Sequence, residues 1–184
     1  MKKTILLLTI LAFNLQTKAQ KINWISLNEA LELQKTKPRK IMMDVYTNWC
    51  GPCKMLDRNT FQNKDVADYV NKNYYAVKFN GEGNETVNYK GVSYGNPNYD
   101  KTKKNRRNSS HKFANSIGIN AYPTIVFMNE NGDLIMPLRG YYNPNQLELY
   151  LKLFKDEDYK SITNKEQFEA YNKKFKPEFK ITKD

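Results

Sequence analysis

Histidine occurs once in the 184 residues, cysteine twice and tryptophan twice. Two cysteines and one histidine do not fill a four-ligand structural zinc site unless a carboxylate joins them. They equally exclude a disulfide-dense secreted scaffold. A lone histidine without a partner acid or second ligand supports neither metal binding nor a hydrolytic triad. His111 is therefore read as an ordinary surface residue, and no metal or cofactor is expected. Acid is scarce too, with 19 Asp and Glu against 30 Lys and Arg, for a net charge of +11. No nucleic-acid reading motif accompanies that charge, so nucleic acid is not an expected partner. There is no internal repeat, and only the first segment holds a long apolar run. What is abundant is aromatic: 13 Tyr and 9 Phe, far too many for a disordered chain. The length suits one globular domain with a sizeable core and an appendage.

The first segment reads as an address. Lys2 and Lys3 precede the apolar run Ile5–Phe13, and Thr17 and Ala19 stand at −3 and −1 of a cut before Gln20. That order is the one found in a secretory signal peptide. The run is too short to cross a bilayer, which takes about 20 residues, and no cysteine near the cut suggests a lipid anchor. Residues 1–19 are expected to be removed, leaving a basic protein without a stable membrane anchor that works outside the cytoplasm. It would be periplasmic if the source is a Gram-negative bacterium.

Ser26 with Glu29 forms a capping-box pattern, which predicts a helix over about 27–36 that stops before Pro38. Ile41–Tyr46 reads as a buried strand interrupted by one acid, Asp44. A helix begins near Cys53, Asn63 caps another, and Tyr74–Phe79 reads as a second strand. In 81–110 glycines and Pro97 break all periodicity, and five of the seven positions 101–107 are basic: Lys101, Lys103, Lys104, Arg106 and Arg107. A structureless insertion is expected there. A short helix near 110–117, the strand Ile125–Met128, a turn at Asn131-Gly132 and a return strand ending at Gly140 follow. Asn143-Pro144 starts a helix with Leu147, Leu149, Leu151 and Phe154, and a last helix, about 164–175, presents Phe168, Tyr171 and Phe175. This order predicts an α/β fold with a mixed central sheet and helices on both faces.

Cys50-Gly51-Pro52-Cys53 sits where a strand becomes a helix. A helix N-terminus offers free N–H groups and the positive end of the dipole, and both favour a thiolate. Cys50 is therefore the expected exposed nucleophile, and Cys53, one turn inward, is placed to resolve a mixed disulfide. Pro52 is tolerated in a first turn. A purely structural disulfide would close a loop of four residues and contribute only about 2 kcal/mol. A zinc half-site shared between two chains is the other alternative. Asp44 on a buried strand is expected to have a raised pKa, fit to exchange a proton as Cys53 changes state; otherwise it lies at an exposed strand end. Pro123 opens its strand, and local sequence argues for a trans bond.

Trp49-Cys50-Gly51-Pro52-Cys53-Lys54 resembles the active-site signature of the thioredoxin family. Asp44 corresponds to the family's buried acid, and Val77-Lys78-Phe79-Asn80 resembles the strand carrying its lysine. Tyr122-Pro123-Thr124 looks like the cis-proline turn, and Gly140 resembles the glycine of the substrate groove. The resemblance covers about 24–154 and implies a thioredoxin fold, a redox-active Cys50–Cys53 disulfide, and a cis Tyr122–Pro123 bond against the local expectation. It also implies substrate contacts from Trp49, Gly51, Pro52, Tyr122, Pro123 and Gly140, with Lys78 supporting Asp44. Cys53-Lys54, Thr60-Phe61 and Val66 are similar to secreted and periplasmic relatives, among them the C-terminal domain of membrane thiol:disulfide interchange reductases. Tyr46, where thioredoxins usually have tryptophan, Tyr122 and the long 81–110 insertion depart from the pattern and imply a narrower substrate range.

The expected organisation is a signal peptide at 1–19, a thioredoxin-like domain at 20–155 with its insertion at about 81–110, and a helical extension at 156–184. The expected function is a thiol:disulfide oxidoreductase that mainly reduces protein disulfides, supplied by an electron-donating reductase such as a membrane one. An oxidase or isomerase is the alternative within the class. A binding module that holds an acidic partner through 101–107, with little catalysis, is the alternative outside it. The plain reading of that charge run is a solvated loop.

Overall fold

The computed structural model of the protein describes residues 21–181. The signal-peptide reading of 1–19 lies outside the described residues. Three of the main helices begin where a short polar side chain satisfies their free N–H groups. Ser26 Oγ accepts from Glu29 N and opens α1, Leu27–Thr36. Asn63 Oδ1 accepts from Asp65 N and Val66 N and opens α3, Lys64–Asn73. Asn143 and Gln146 form a full reciprocal capping box at α5, Pro144–Lys155.

The central sheet is built from β1 (Trp24–Ile25), β2 (Ile41–Tyr46), β3 (Tyr75–Asn80), β6 (Thr124–Met128) and β7 (Leu134–Arg139), in the spatial order β1-β3-β2-β6-β7, with β4 (Val87–Tyr89) and β5 (Val92–Tyr94) forming a separate hairpin. β3 runs parallel to β1 and β2, while β6 and β7 are antiparallel additions. The two-residue β1 had no signal in the sequence. Pro137 lies in the edge strand β7, where a missing donor faces no partner strand.

Alternation along the strands sorts side chains onto two faces. Met42, Ala76, Ile125 and Phe127 pack with Val66, Val70, Leu147, Leu151 and Phe154 from α3 and α5. Ile41, Met43, Val45, Val77, Phe79 and Val126 pack on the other face with Leu27 and Ala30 of α1. The same alternation puts Asp44 and Lys78 on the α3/α5 face, and the register sets them directly opposite each other.

Residues 81–110 are not structureless. They contain the hairpin β4 (Val87–Tyr89) and β5 (Val92–Tyr94) and a 3-10 turn at Lys101–Lys103. The hairpin turn is Lys90-Gly91, both with positive φ (49° and 77°), the geometry that matches strand twist in a two-residue connection. His111 is buried, not on the surface. It caps α4, Lys112–Ser116, with Nδ1 accepting from Phe113 N while Nε2 lies 2.7 Å from Glu85 O. Those contacts define the neutral tautomer with the proton on Nε2, and burial holds its pKa below the ordinary value.

After α5 the chain returns over the domain through α6, Lys165–Lys174. Phe168, Tyr171 and Phe179 pack against the α3/α5 core. The buried carboxylate of Glu148 accepts from Glu178 N and Phe179 N and pairs with Lys152. No helix among the described residues is long and apolar enough to cross a membrane.

Candidate active site

β2 ends at Tyr46, and the chain turns through Thr47–Trp49 into α2, Gly51–Leu56. Cys50 is the N-cap of α2, with Pro52 in the first turn. Its Sγ accepts from Cys53 N at 3.1 Å. Cys50 and Cys53 form a disulfide with their Cα atoms 5.3 Å apart. Contrary to expectation, Cys50 is no more exposed than Cys53, each at 2%. A position at the start of a helix suggested exposure, but the side chain is turned inward into its disulfide with the buried Cys53. What distinguishes Cys50 is the N–H group aimed at its sulfur. Among the described residues no group of His, Cys, Asp and Glu is arranged to hold a metal ion.

Asp44 is 1% exposed. Burial raises its pKa to about 6, against the opposing pull of Lys78. Lys78 Nζ stands 2.9 Å from Asp44 Oδ2 and is the charge partner of this buried carboxylate. The ammonium also pairs with Asp57, which lies in the π-helical turn Asp57–Phe61 that continues α2. The rings of Trp24, Tyr46 and Phe61 surround it at 4.9, 5.1 and 5.6 Å. Burial works against the charge of Lys78, but Asp44 and Asp57 outweigh it and hold its pKa above the ordinary value.

The register between β2 and β6 pairs Val45 with Thr124. This brings Tyr122-Pro123 to the end of the sheet from which the Cys50 loop departs. The Tyr122–Pro123 bond is cis, as the family resemblance implies and against the local sequence. Gly140, at φ 96°, donates its N–H to Pro123 O at 2.8 Å. Trp49 and Tyr122 meet edge to face with centroids 6.4 Å apart. Gly51 and Pro52 are exposed at the start of α2, and a side chain at Gly51 would meet open space.

Glu82 escaped the sequence reading. It is 6% exposed, and its Oε2 accepts from Trp49 Nε1 at 2.7 Å and from Asn108 N at 2.8 Å. The guanidinium of Arg107 lies 4.9 Å from the Trp49 ring, and Asn48 Nδ2 donates to Lys104 O at 2.8 Å. The insertion is thus tied to the active-site loop. The faint signal was an acid between two glycines, Gly81 and Gly83. A Cβ on Gly81 would stand 2.5 Å from Tyr122 Cε1. Gly81→Ala is expected to lose about 1–3 kcal/mol, read by denaturant unfolding, with a change in Trp49 fluorescence as the Tyr122 ring shifts. Unchanged stability and emission would mean that the ring yields freely.

A Cys-x-x-Cys pair at the junction of strand and helix, with a cis-proline opening a strand of the same mixed sheet and a buried acid on its central strand, marks a thiol:disulfide oxidoreductase of the thioredoxin fold. The chain belongs to the thioredoxin-like domain family, whose sequence profile matches residues 27–155. No curated protein matches it. Among solved structures it is similar to a thioredoxin-fold protein from Helicobacter pylori, at 19% identity and TM-score 0.57, over 85% of this chain and 89% of that one. It is also similar to a candidate disulphide isomerase from Bacteroides thetaiotaomicron, at 28% identity and TM-score 0.51, over 74% and 94% of the two chains. A thioredoxin from Thermus thermophilus aligns at 14% identity and TM-score 0.53, over 73% and 87%.

Proposed function

We propose that this protein is an extracytoplasmic reductase of protein disulfides. The observation that carries the reading is Cys50 at the N-cap of α2, with the Cys53 N–H aimed at its sulfur. In the reduced protein that N–H and the helix N-terminus favour a Cys50 thiolate. The thiolate attacks one sulfur of a substrate disulfide. The Cys50–substrate bond forms, the substrate S–S bond breaks, and the second substrate sulfur leaves as a thiolate and takes up a proton. Cys53, its proton passed to Asp44, then attacks Cys50 and expels the first substrate sulfur, which is protonated in turn. Two electrons have moved to the substrate, which ends as two thiols, and the protein ends as the Cys50–Cys53 disulfide. An electron-donating dithiol protein, of the membrane reductase kind, restores the pair.

The order of charge, apolar run and small residues in 1–19 supports work outside the cytoplasm. The Gly51-Pro52 dipeptide favours reduction, since it resembles the reducing members of the family. The name of the Bacteroides relative favours isomerisation as the second reading. Equilibration of the Cys50–Cys53 pair with glutathione decides the direction. A reductase is expected near about −250 mV or below, whereas a value near about −120 mV would mark an oxidase. Recovery of scrambled ribonuclease, without net reduction, would favour the isomerase. Amino-terminal sequencing of secreted protein is expected to begin at Gln20.

A further inference from the structure

The basic run is neither loose nor remote from the dithiol. Asp100 and Asn108 close the loop between them with two hydrogen bonds, Asp100 N to Asn108 Oδ1 and Asn108 Nδ2 to Asp100 O. Asp100 also caps the 3-10 turn through Thr102 N. Asn96 ties the base of the loop to Gly83 O and Ser109 O. Three contacts then fasten it to the active-site loop: Asn48 to Lys104 O, Trp49 through Glu82 to Asn108 N, and Arg107 over Trp49. Residues 101–107 are exposed throughout. Of the five cations, only Lys103 has an acidic partner among the described residues, Asp100 at 3.6 Å. Glu82 is buried, is engaged by the neutral donors Trp49 Nε1 and Asn108 N, and forms no ion pair with these cations.

Fixed positive charge beside a reactive sulfur selects substrates by the charge near their own cysteines. We propose that the 100–108 loop is a docking surface for acidic segments flanking the disulfide of protein substrates. The proposal rests on the oxidoreductase reading and names its substrate class. Lys104 is anchored through Asn48, two residues before Cys50, and Arg107 through Trp49, one residue before it. An extended substrate rises roughly 3.4 Å per residue, so carboxylates two to four residues from its cysteine lie roughly 7–14 Å from the attacked sulfur. Charges carried on a loop whose backbone is held beside the dithiol in this way raise the association rate with such a segment and disfavour a basic one. The attachment to the dithiol loop favours a disulfide-bearing protein over a polyanion such as nucleic acid, which offers no sulfur to attack.

Two disulfide peptides test this, identical except that Asp and Glu beside one cysteine are replaced by Asn and Gln in the second. Stopped-flow exchange with the reduced full-length protein is followed by tryptophan fluorescence at low salt. The wild type is expected to react with the acidic peptide about tenfold faster than with the neutral one, and the ratio should fall toward one in about 1 M salt, where the Debye length is about 3 Å. The triple substitution Lys101→Gln, Lys104→Gln and Arg106→Gln is expected to bring the low-salt ratio close to one. The corresponding Glu substitutions should invert it. Substituting Gln at Lys173, Lys174 and Lys176, exposed at and just beyond the end of α6, should leave the ratio as in the wild type and separates local docking from net charge. A wild-type ratio of one, or a preference that survives the loop substitutions, overturns the docking surface. Failure of the wild type to exchange with either peptide overturns the oxidoreductase reading instead.

Discussion

Cys50→Ser is expected to abolish disulfide reduction outright, down to the uncatalysed background, because it removes the sulfur toward which the Cys53 N–H is aimed and leaves Cys53 as the one remaining thiol. Cys53→Ser is expected to fail differently. It keeps the attacking thiolate and lacks the group that releases it, so it should complete one exchange and accumulate as a mixed disulfide. Insulin reduction measures the first loss, and non-reducing electrophoresis with mass spectrometry detects the second. Both sulfurs are equally covered in the oxidised protein, so the roles rest on the N-cap geometry rather than on access. Alkylation of the reduced protein near neutral pH should label Cys50 first. Faster labelling of Cys53, or trapping by the Cys50 variant, would reverse the two roles.

Asp44→Asn should stabilise the oxidised protein at alkaline pH, by up to about 3 kcal/mol. The acid's pKa is raised from 3.8 to about 6, chiefly by burial, and a tenfold change in proton affinity corresponds to about 1.4 kcal/mol. Between those values the folded state holds a proton that the unfolded state has released, so rising pH favours unfolding. The wild type is therefore expected to lose stability as pH climbs from about 4 to about 6, and to stay at the lower level above that. The Asn variant lacks this loss, so the two should diverge through the same window and coincide below it. Lys78 keeps its pairing with Asp57 in the variant, which spares it an uncompensated charge. Denaturant unfolding at pH 4, 6 and 8 reads the gap, and parallel pH profiles would show that Asp44 ionises like a surface acid. The same substitution is expected to slow the Cys53 step and flatten its pH dependence, which a stability effect alone would not do.

Local pattern carried most of the architecture. Ser26, Asn63 and Asn143 marked helix starts because a capping side chain acts on donors only two or three residues away. The apolar run Ile41–Tyr46 held one acid among apolar neighbours, and Cys50-Gly51-Pro52-Cys53 at a strand-to-helix junction announced its chemistry through the free N–H groups that follow. The hairpin at Val87–Tyr94 was missed because its three-residue strands are too short to establish a period, and Lys90-Gly91 reads as a break until the strands on either side are seen to pair. β1 was missed for the same reason of length. Local residues pointed the wrong way at Tyr122–Pro123, where an X–Pro bond is usually trans.

His111 read as a surface residue because its two partners, Phe113 N and Glu85 O, are backbone atoms that carry no residue-type signal. Glu82 was invisible for a related reason: its value lies in meeting Trp49 and Asn108, which are 33 and 26 residues away. The fixed place of the basic loop depends on such contacts as well. Residue type and short spacing settle what a group can do within one turn or one strand. Burial, pairing and the displacement of a pKa are set by which distant segments are brought alongside, and only the folded chain decides that.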